Sequence, residues 1–212
     1  MEPLVIHALV MLFAWLVLIP IGVLAARFFK VLPRQDWPRQ LDNQAWWKLH
    51  QFTQYSGVVL MLIAVYIAVS ESGELGLSIH GILGLAAVIL ACGQVLSGWL
   101  RGSKGGPTDR NATPDDTSSW RGDHYDMTGR RLSFEAWHKC GGYLAMGLAF
   151  AAIATGMLMI GWSEMIFGLA VVFTLALWIL FVVFERLGLR KDTYQAIWGP
   201  DKNHPGNSGG KP

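Results

Sequence analysis

Five stretches without a single Asp, Glu, Lys or Arg decide what this chain can fold into. They run over 3–26, 49–70, 75–100, 140–163 and 165–184. Each is close to the ~20 residues that cross ~30 Å of hydrocarbon at ~1.5 Å per residue. In a bilayer the backbone N–H and C=O groups must be satisfied without water, and a helix does so within one segment. Composition agrees: of 212 residues 52% are hydrophobic, and the mean hydropathy is +0.36, too apolar for an ordinary soluble domain. The expected fold is all-α, a transmembrane helix bundle of five spans at 3–29, 46–70, 77–100, 136–161 and 164–185. Residues 1–186 form the transmembrane domain. In 187–212, the part up to residue 198 is expected along the cytoplasmic interface and the remainder as a disordered tail. The weakest boundary is the turn at 161–164, where one long buried hairpin is the alternative. Pro20 predicts a kink in span 1.

Charge gives an orientation. All 17 Lys and Arg residues fall in the 1–2 connection, the 3–4 connection or the tail. Five alternating spans put every one of them on one side, and an even number would scatter them. The other side carries only Glu2, Glu71, Glu74 and Glu164. By the positive-inside rule the N-terminus is outside and the C-terminus cytoplasmic. Trp46, Trp47, Trp99, Trp137 and Trp162 at span ends suit interfacial belts. The first apolar run has no cationic flank before it, so it reads as a retained span and not as a cleaved leader. Cys92 and Cys140 lie in apolar runs and make no disulfide framework. The absence of C-x-x-C-H excludes covalent c-type haem attachment.

Four histidines stand out against this background: His7, His50, His80 and His138, each near the start of a span. Ionisable groups in membrane spans are costly and mark function by default. Spans 1 and 3 both begin outside, which puts His7 and His80 at one depth. Spans 2 and 4 both begin inside, which puts His50 and His138 at another. One such histidine reads most simply as a satisfied core residue. Four, paired by depth, form two imidazole couples, the donor set that holds b-type haem in a helix bundle. Nitrogen ligands suit iron, and ligands about a turn inside each end would set the irons roughly 20 Å apart. Zinc or copper fits less well, since neither couple brings a further Cys, Asp or Glu. Gly84 and Gly142 follow His80 and His138 at i+4, on the same helix face. They leave either a slot for a flat ring or an ordinary small-residue packing seam. His124 and His204 lie in hydrophilic segments and read as surface residues.

Lys48, Arg101, Arg131 and Lys139 sit at the cytoplasmic ends of spans 2, 3 and 4. There they can bind haem propionates or an anionic reductant, although positive-inside bias alone also accounts for them. The 3–4 connection, 101–135, is long and rich in Gly, Pro, Asp and Ser. Connections of that length are functional or disordered. The sequon at Asn111 falls on the cytoplasmic side and is discounted.

The pattern as a whole resembles the cytochrome b561 family, in particular the five-helix core also found in DOMON-linked members. The residues that carry the resemblance begin with Ile6-His7-Ala8-Leu9-Val10-Met11, Ala14-Trp15, Pro20, Gly22 and Ala26-Arg27. They continue with Trp47-Lys48-Leu49-His50, Gln54 and Gly57, then His80, Gly84, Gln94 and Arg101. Trp137-His138, Gly142-Tyr143 and Gly156 complete the set. The likeness covers about 4–186. The family ligates two b haems by its first with its third, and its second with its fourth, histidine helix. That implies His7/His80 and His50/His138 here, with two non-covalent bis-His haems in four of the five spans. No DOMON sequence or sixth span is read in these residues, and the 3–4 connection is longer than the family's usual one.

The resemblance implies transmembrane electron transfer from cytoplasmic ascorbate to an outer acceptor such as monodehydroascorbate or a ferric chelate. The expected function is therefore that of a b-type dihaem cytochrome in a plasma or inner membrane, an electron carrier or membrane-bound oxidoreductase. Its partners are membrane lipid and a small-molecule or protein electron donor and acceptor. No nucleic acid is expected, and a homodimer is compatible. One alternative is a haem-bearing anchor subunit exchanging electrons between quinol and a protein partner. Another is a membrane protein without haem, such as a metal transporter.

Overall fold

The computed structural model describes residues 2–73, 77–106, 109–113, 115–159, 161, 164–204 and 207. Five helices are long and apolar enough to cross a membrane: span 1 (Pro3–Phe28), span 2 (Ala45–Ser72), span 3 (Ile79–Trp99), span 4 (Gly129–Met159) and span 5 (Glu164–Arg186). No strand occurs among the described residues. The chain is an all-helical, multi-pass membrane protein. The turn between spans 4 and 5 falls partly outside the described residues, as do Glu74 and Trp162.

Span 1 is α-helical over Pro3–Leu12, widens to a π-helix over Phe13–Leu18, and returns to α over Ile19–Phe28. Pro20 explains the change. It has no N–H to donate and its ring crowds the carbonyl one turn earlier. Wider turns just before it relieve that contact. The π segment buries Ala14, Trp15 and Leu16. Span 3 starts at a true cap: Ser78 Oγ accepts the Gly81 N–H at 3.1 Å, which places His80 in the first turn. Span 4 starts at Gly129, seven residues before the apolar pattern would put it at 136. Its first turns are charged, and Glu135 joins Arg131 (3.2 Å) and Lys139 (3.0 Å) at i±4, pairs that extend a helix beyond its apolar run.

Spans 1 to 4 share one core. Trp15, Ile19 and Met61 meet Ala87, Val88 and Ala91 of span 3 and Ala145 and Ala149 of span 4. Alanines four residues apart on spans 3 and 4 let the two backbones approach, as membrane helices require. Span 5 has no buried residue. It touches span 1 at one end, where Phe28 meets Phe181 and Phe184 edge-on (5.3 and 5.4 Å) and Arg27 pairs with Glu185 at 3.0 Å.

The 1–2 and 3–4 connections and the C-terminal segment gather at one end of the bundle, here called the cationic end. They form a folded cap. The short helix Thr193–Trp198 is capped by Asp192 Oδ1, which accepts the Tyr194 N–H at 2.8 Å. It buries Tyr194 and Ala196, and the Ala196 carbonyl accepts the Asp42 N–H at 3.0 Å. Trp198 lies among Trp120 (6.3 Å), Tyr125 (5.7 Å) and His204, which stacks on it at 5.4 Å. This corrects the expectation for His124. It is not a surface histidine but is 5% exposed, because the Tyr194 ring closes edge-on over it at 4.5 Å.

Candidate functional site: two histidine couples

The four span histidines stand as two couples. The rings of His7 and His80 are 6.1 Å apart at 87°. Those of His50 and His138 are 6.2 Å apart at 68°. A metal–imidazole bond of about 2 Å, plus ~1 Å from nitrogen to ring centre, puts two imidazoles trans on one metal about 6 Å apart. Both couples have that spacing.

Each Nδ1 is already engaged. His7 Nδ1 donates to the Ala64 carbonyl (2.8 Å), His50 Nδ1 to that of Gly22 (3.0 Å) and His80 Nδ1 to that of Ala152 (2.8 Å). His138 Nδ1 meets Ser97 Oγ at 3.2 Å, and Ser97 gives its own proton to the Gln94 carbonyl at 2.8 Å. The serine oxygen is therefore an acceptor for the imidazole. A carbonyl accepts only from N–H, so the hydrogen sits on Nδ1 and the Nε2 lone pair is free. That tautomer is the one a metal-ligating histidine needs, fixed by its other nitrogen.

The bonds are reciprocal. Span 1 supplies His7 to one couple and the Gly22 acceptor to the other. Span 2 supplies His50 and the Ala64 acceptor. Spans 3 and 4 repeat the exchange with His80 and Ser97, and with His138 and Ala152. His50 and Ala64 are 14 residues apart, as are His138 and Ala152, so the couples are separated by ~21 Å of helix.

Glycines admit this packing. A Cβ on Gly156 would stand 2.7 Å from His80 Nδ1 and Cε1. One on Gly22 would stand 2.3 Å from Thr53 Oγ1, and one on Gly141 2.5 Å from Gln94 Nε2. At Gly84 and Gly142 the nearest atom to a Cβ is 3.9 Å away. Those two leave space without being forced by a close approach.

The couple at the cationic end has a second layer. Trp47 lies 5.8 Å from His50 and Phe134 5.0 Å from His138. Arg101 rests over Trp47 at 3.9 Å, and Arg131 over Phe134 at 4.9 Å. Each histidine is thus followed outward by an aromatic ring and then a guanidinium, stacked as cation–π pairs. Arg101 and Arg131 are electrostatic neighbours of His138. Of the two lysines singled out in sequence, Lys139 is largely exposed and held by Glu135. Lys48 is exposed, and its side chain makes no hydrogen bond or ion pair among the described residues. Lys30, not singled out, is drawn in instead. It neighbours His50, and burial pushes its ammonium down to about 8. The i−3 and i−4 spacing of Trp47 and Phe134 from their histidines was the available sequence signal for the aromatic layer.

The donor set suits a metal held in a macrocycle. Among the described residues no group of three or more His, Cys, Asp or Glu comes together. A four-coordinate zinc site needs such a group, whereas two axial imidazoles suffice where a porphyrin fills the other positions.

Fold and site together define a five-span membrane helix bundle with paired intramembrane histidines. The family model for eukaryotic cytochrome b561 matches residues 6–102, which takes in His7, His50 and His80. A cytochrome b561, DM13 and DOMON domain-containing protein of Arabidopsis thaliana is 29% identical over 157 residues, 74% of this chain and 15% of that protein. No solved structure matches. The resemblance to the cytochrome b561 family read from the sequence is borne out by these two matches, and that family suggests transmembrane electron transfer. The chain spans only a small part of the Arabidopsis relative.

Proposed function

We propose that the chain holds two b-type haems without covalent attachment, one between His7 and His80 and one between His50 and His138, and passes electrons across a plasma or inner membrane. The single observation that carries this is that the histidines stand in two couples with ring centres ~6 Å apart while all four Nδ1 atoms are held by acceptors on neighbouring spans, which leaves each Nε2 lone pair free for a metal. Haem bound there supplies a one-electron Fe(III)/Fe(II) couple. The residues do the rest. Ala64, Gly22, Ala152 and Ser97 orient the rings. Trp15, Met61, Ala87 and Ala149 exclude water between the two couples. Gly84 and Gly142 leave room for a flat ring beside His80 and His138.

By the positive-inside rule the cationic end is cytoplasmic. Arg101 and Arg131, with Lys48 and Lys139 further out, attract an anionic reductant such as ascorbate, or haem propionates. The other end offers only acids, so a cationic or metal-bearing acceptor suits it. Membrane lipid covers span 5, and no nucleic acid is involved.

Proteoliposomes loaded with ferricyanide test the reading. Ascorbate added at the cationic end should reduce the enclosed ferricyanide, and His80→Ala should abolish the transfer. Equal rates in the variant, or in vesicles without protein, would contradict it.

A further inference from the structure

His124 is the one buried histidine that the two couples do not use. Its backbone N–H donates to the Ser103 carbonyl at 3.0 Å. Its imidazole is 5% exposed and meets Tyr194 edge-on. Its Nε2 is buried without a hydrogen-bond partner among the described residues. A buried polar nitrogen left alone is costly, and one in a folded loop needs a reason. The loop around it is tightly built. Gly105 (φ +74°) has no room for a Cβ, which would fall 2.7 Å from the Arg121 carbonyl oxygen.

The surroundings of that nitrogen are cationic. Its electrostatic neighbours are Arg131, Glu135, Arg101 and Lys104. Glu135, the only carboxylate among them, is already engaged by Tyr194 Oη, Arg131 and Lys139. Lys104 pairs with Asp42. Arg101 has no carboxylate partner among the described residues, and its guanidinium lies on Trp47. An orphaned imidazole nitrogen and an unpaired guanidinium therefore share a region next to the His50–His138 couple. An oxyanion satisfies both.

We propose that His124, carried in by the long 3–4 connection, completes an oxyanion site with Arg101 and Arg131, its Nε2–H donating to a carboxylate or enolate oxygen. This deepens the dihaem reading and rests on it. The oxygen belongs either to a propionate of the haem between His50 and His138 or to a free anionic reductant. Tyr194 positions the imidazole through its ring. The exposed Lys48 and Lys139 stand outside this site.

The test compares wild-type holoprotein with His124→Leu and His124→Asn, each reconstituted with haem b or with haem dimethyl ester, whose propionates cannot carry charge. If the oxygen is a propionate, His124→Leu shifts the midpoint potential of the haem at His50/His138 and leaves that at His7/His80. Asn, an amide donor, restores part of the shift, and the shift vanishes with the dimethyl ester. If the oxygen is that of a free reductant, both potentials stay fixed. The half-saturating ascorbate concentration then rises about tenfold, while reduction by a neutral quinol is unaffected. Wild-type values in both measurements, in variants that keep two haems, overturn the His124 site and leave the dihaem reading standing. A wild-type chain without haem overturns that reading itself.

Discussion

His50 donates its Nδ1–H to the carbonyl of Gly22 at 3.0 Å, and Gly22 is also where spans 1 and 2 come too close for any side chain. A Cβ there would fall 2.2 Å from Gln54 Nε2 and 2.3 Å from Thr53 Oγ1. One residue thus sets both the orientation of a histidine and the separation of the helices. Gly22→Ala should push the spans apart, lose the acceptor for His50, and lower haem content from two per chain toward one. Gly156→Ala should do the same at the other couple, since its Cβ would press on the His80 ring. Pyridine haemochrome assay against protein concentration measures both.

The couples use different histidines, so they should empty independently. His80→Ala should remove one haem and leave the other with its spectrum and potential intact, and His50→Ala should remove the complementary one. Redox titration of the two variants shows which component each has lost. If both lack the same component, the pairing of His7 with His80 is wrong.

Ser97 accepts from His138 where the other three histidines use backbone carbonyls. It is therefore the one orienting partner that a substitution can delete. Removing such a partner typically costs about 10–100-fold in ligand-site affinity. Ser97→Ala should release the haem at His50/His138 about that much faster to apomyoglobin, and Ser97→Thr should keep most of the wild-type retention.

Acid should loosen the cap of the haem-free protein. Burial, and next the charge of Arg131, pull His124 down to about 3 from its ordinary 6.5. Between those values the unfolded segment binds a proton that the folded cap does not, so stability rises with pH across the window and is lost as pH falls through it. The slope is at most about 1.4 kcal/mol per pH unit. Protection factors over 193–198, the exchange rates taken relative to the intrinsic rate at each pH, should fall below pH ~6.5, and His124→Phe should flatten that dependence.

The spans were legible because hydropathy is local: each apolar run reports its own helix. The depth of His7, His50, His80 and His138 followed from which end of each run they occupy. Pro20 announced a disturbance in span 1, though not that it would take the form of a π segment. The cap was not legible. His124 and Tyr125 lie in a polar stretch, and they are buried by Tyr194 and Trp198, about 70 residues further along the chain. No local periodicity reports such contacts. The helical turns that precede the apolar run of span 4, from Gly129, were not legible for a related reason. Charges that read as loop are held helical by Glu135 bonding Arg131 and Lys139. Gly84 and Gly142 were visible at i+4 from their histidines. The glycines that close packing demands, at 22, 141 and 156, depend on partners in other spans.

The haem-to-protein ratio of the chain, purified after expression with ample haem, tests the central claim most directly. Two haems per chain, with a reduced-minus-oxidised α-band near ~560 nm as b-type ligation gives, is the expected result. A colourless protein would contradict it.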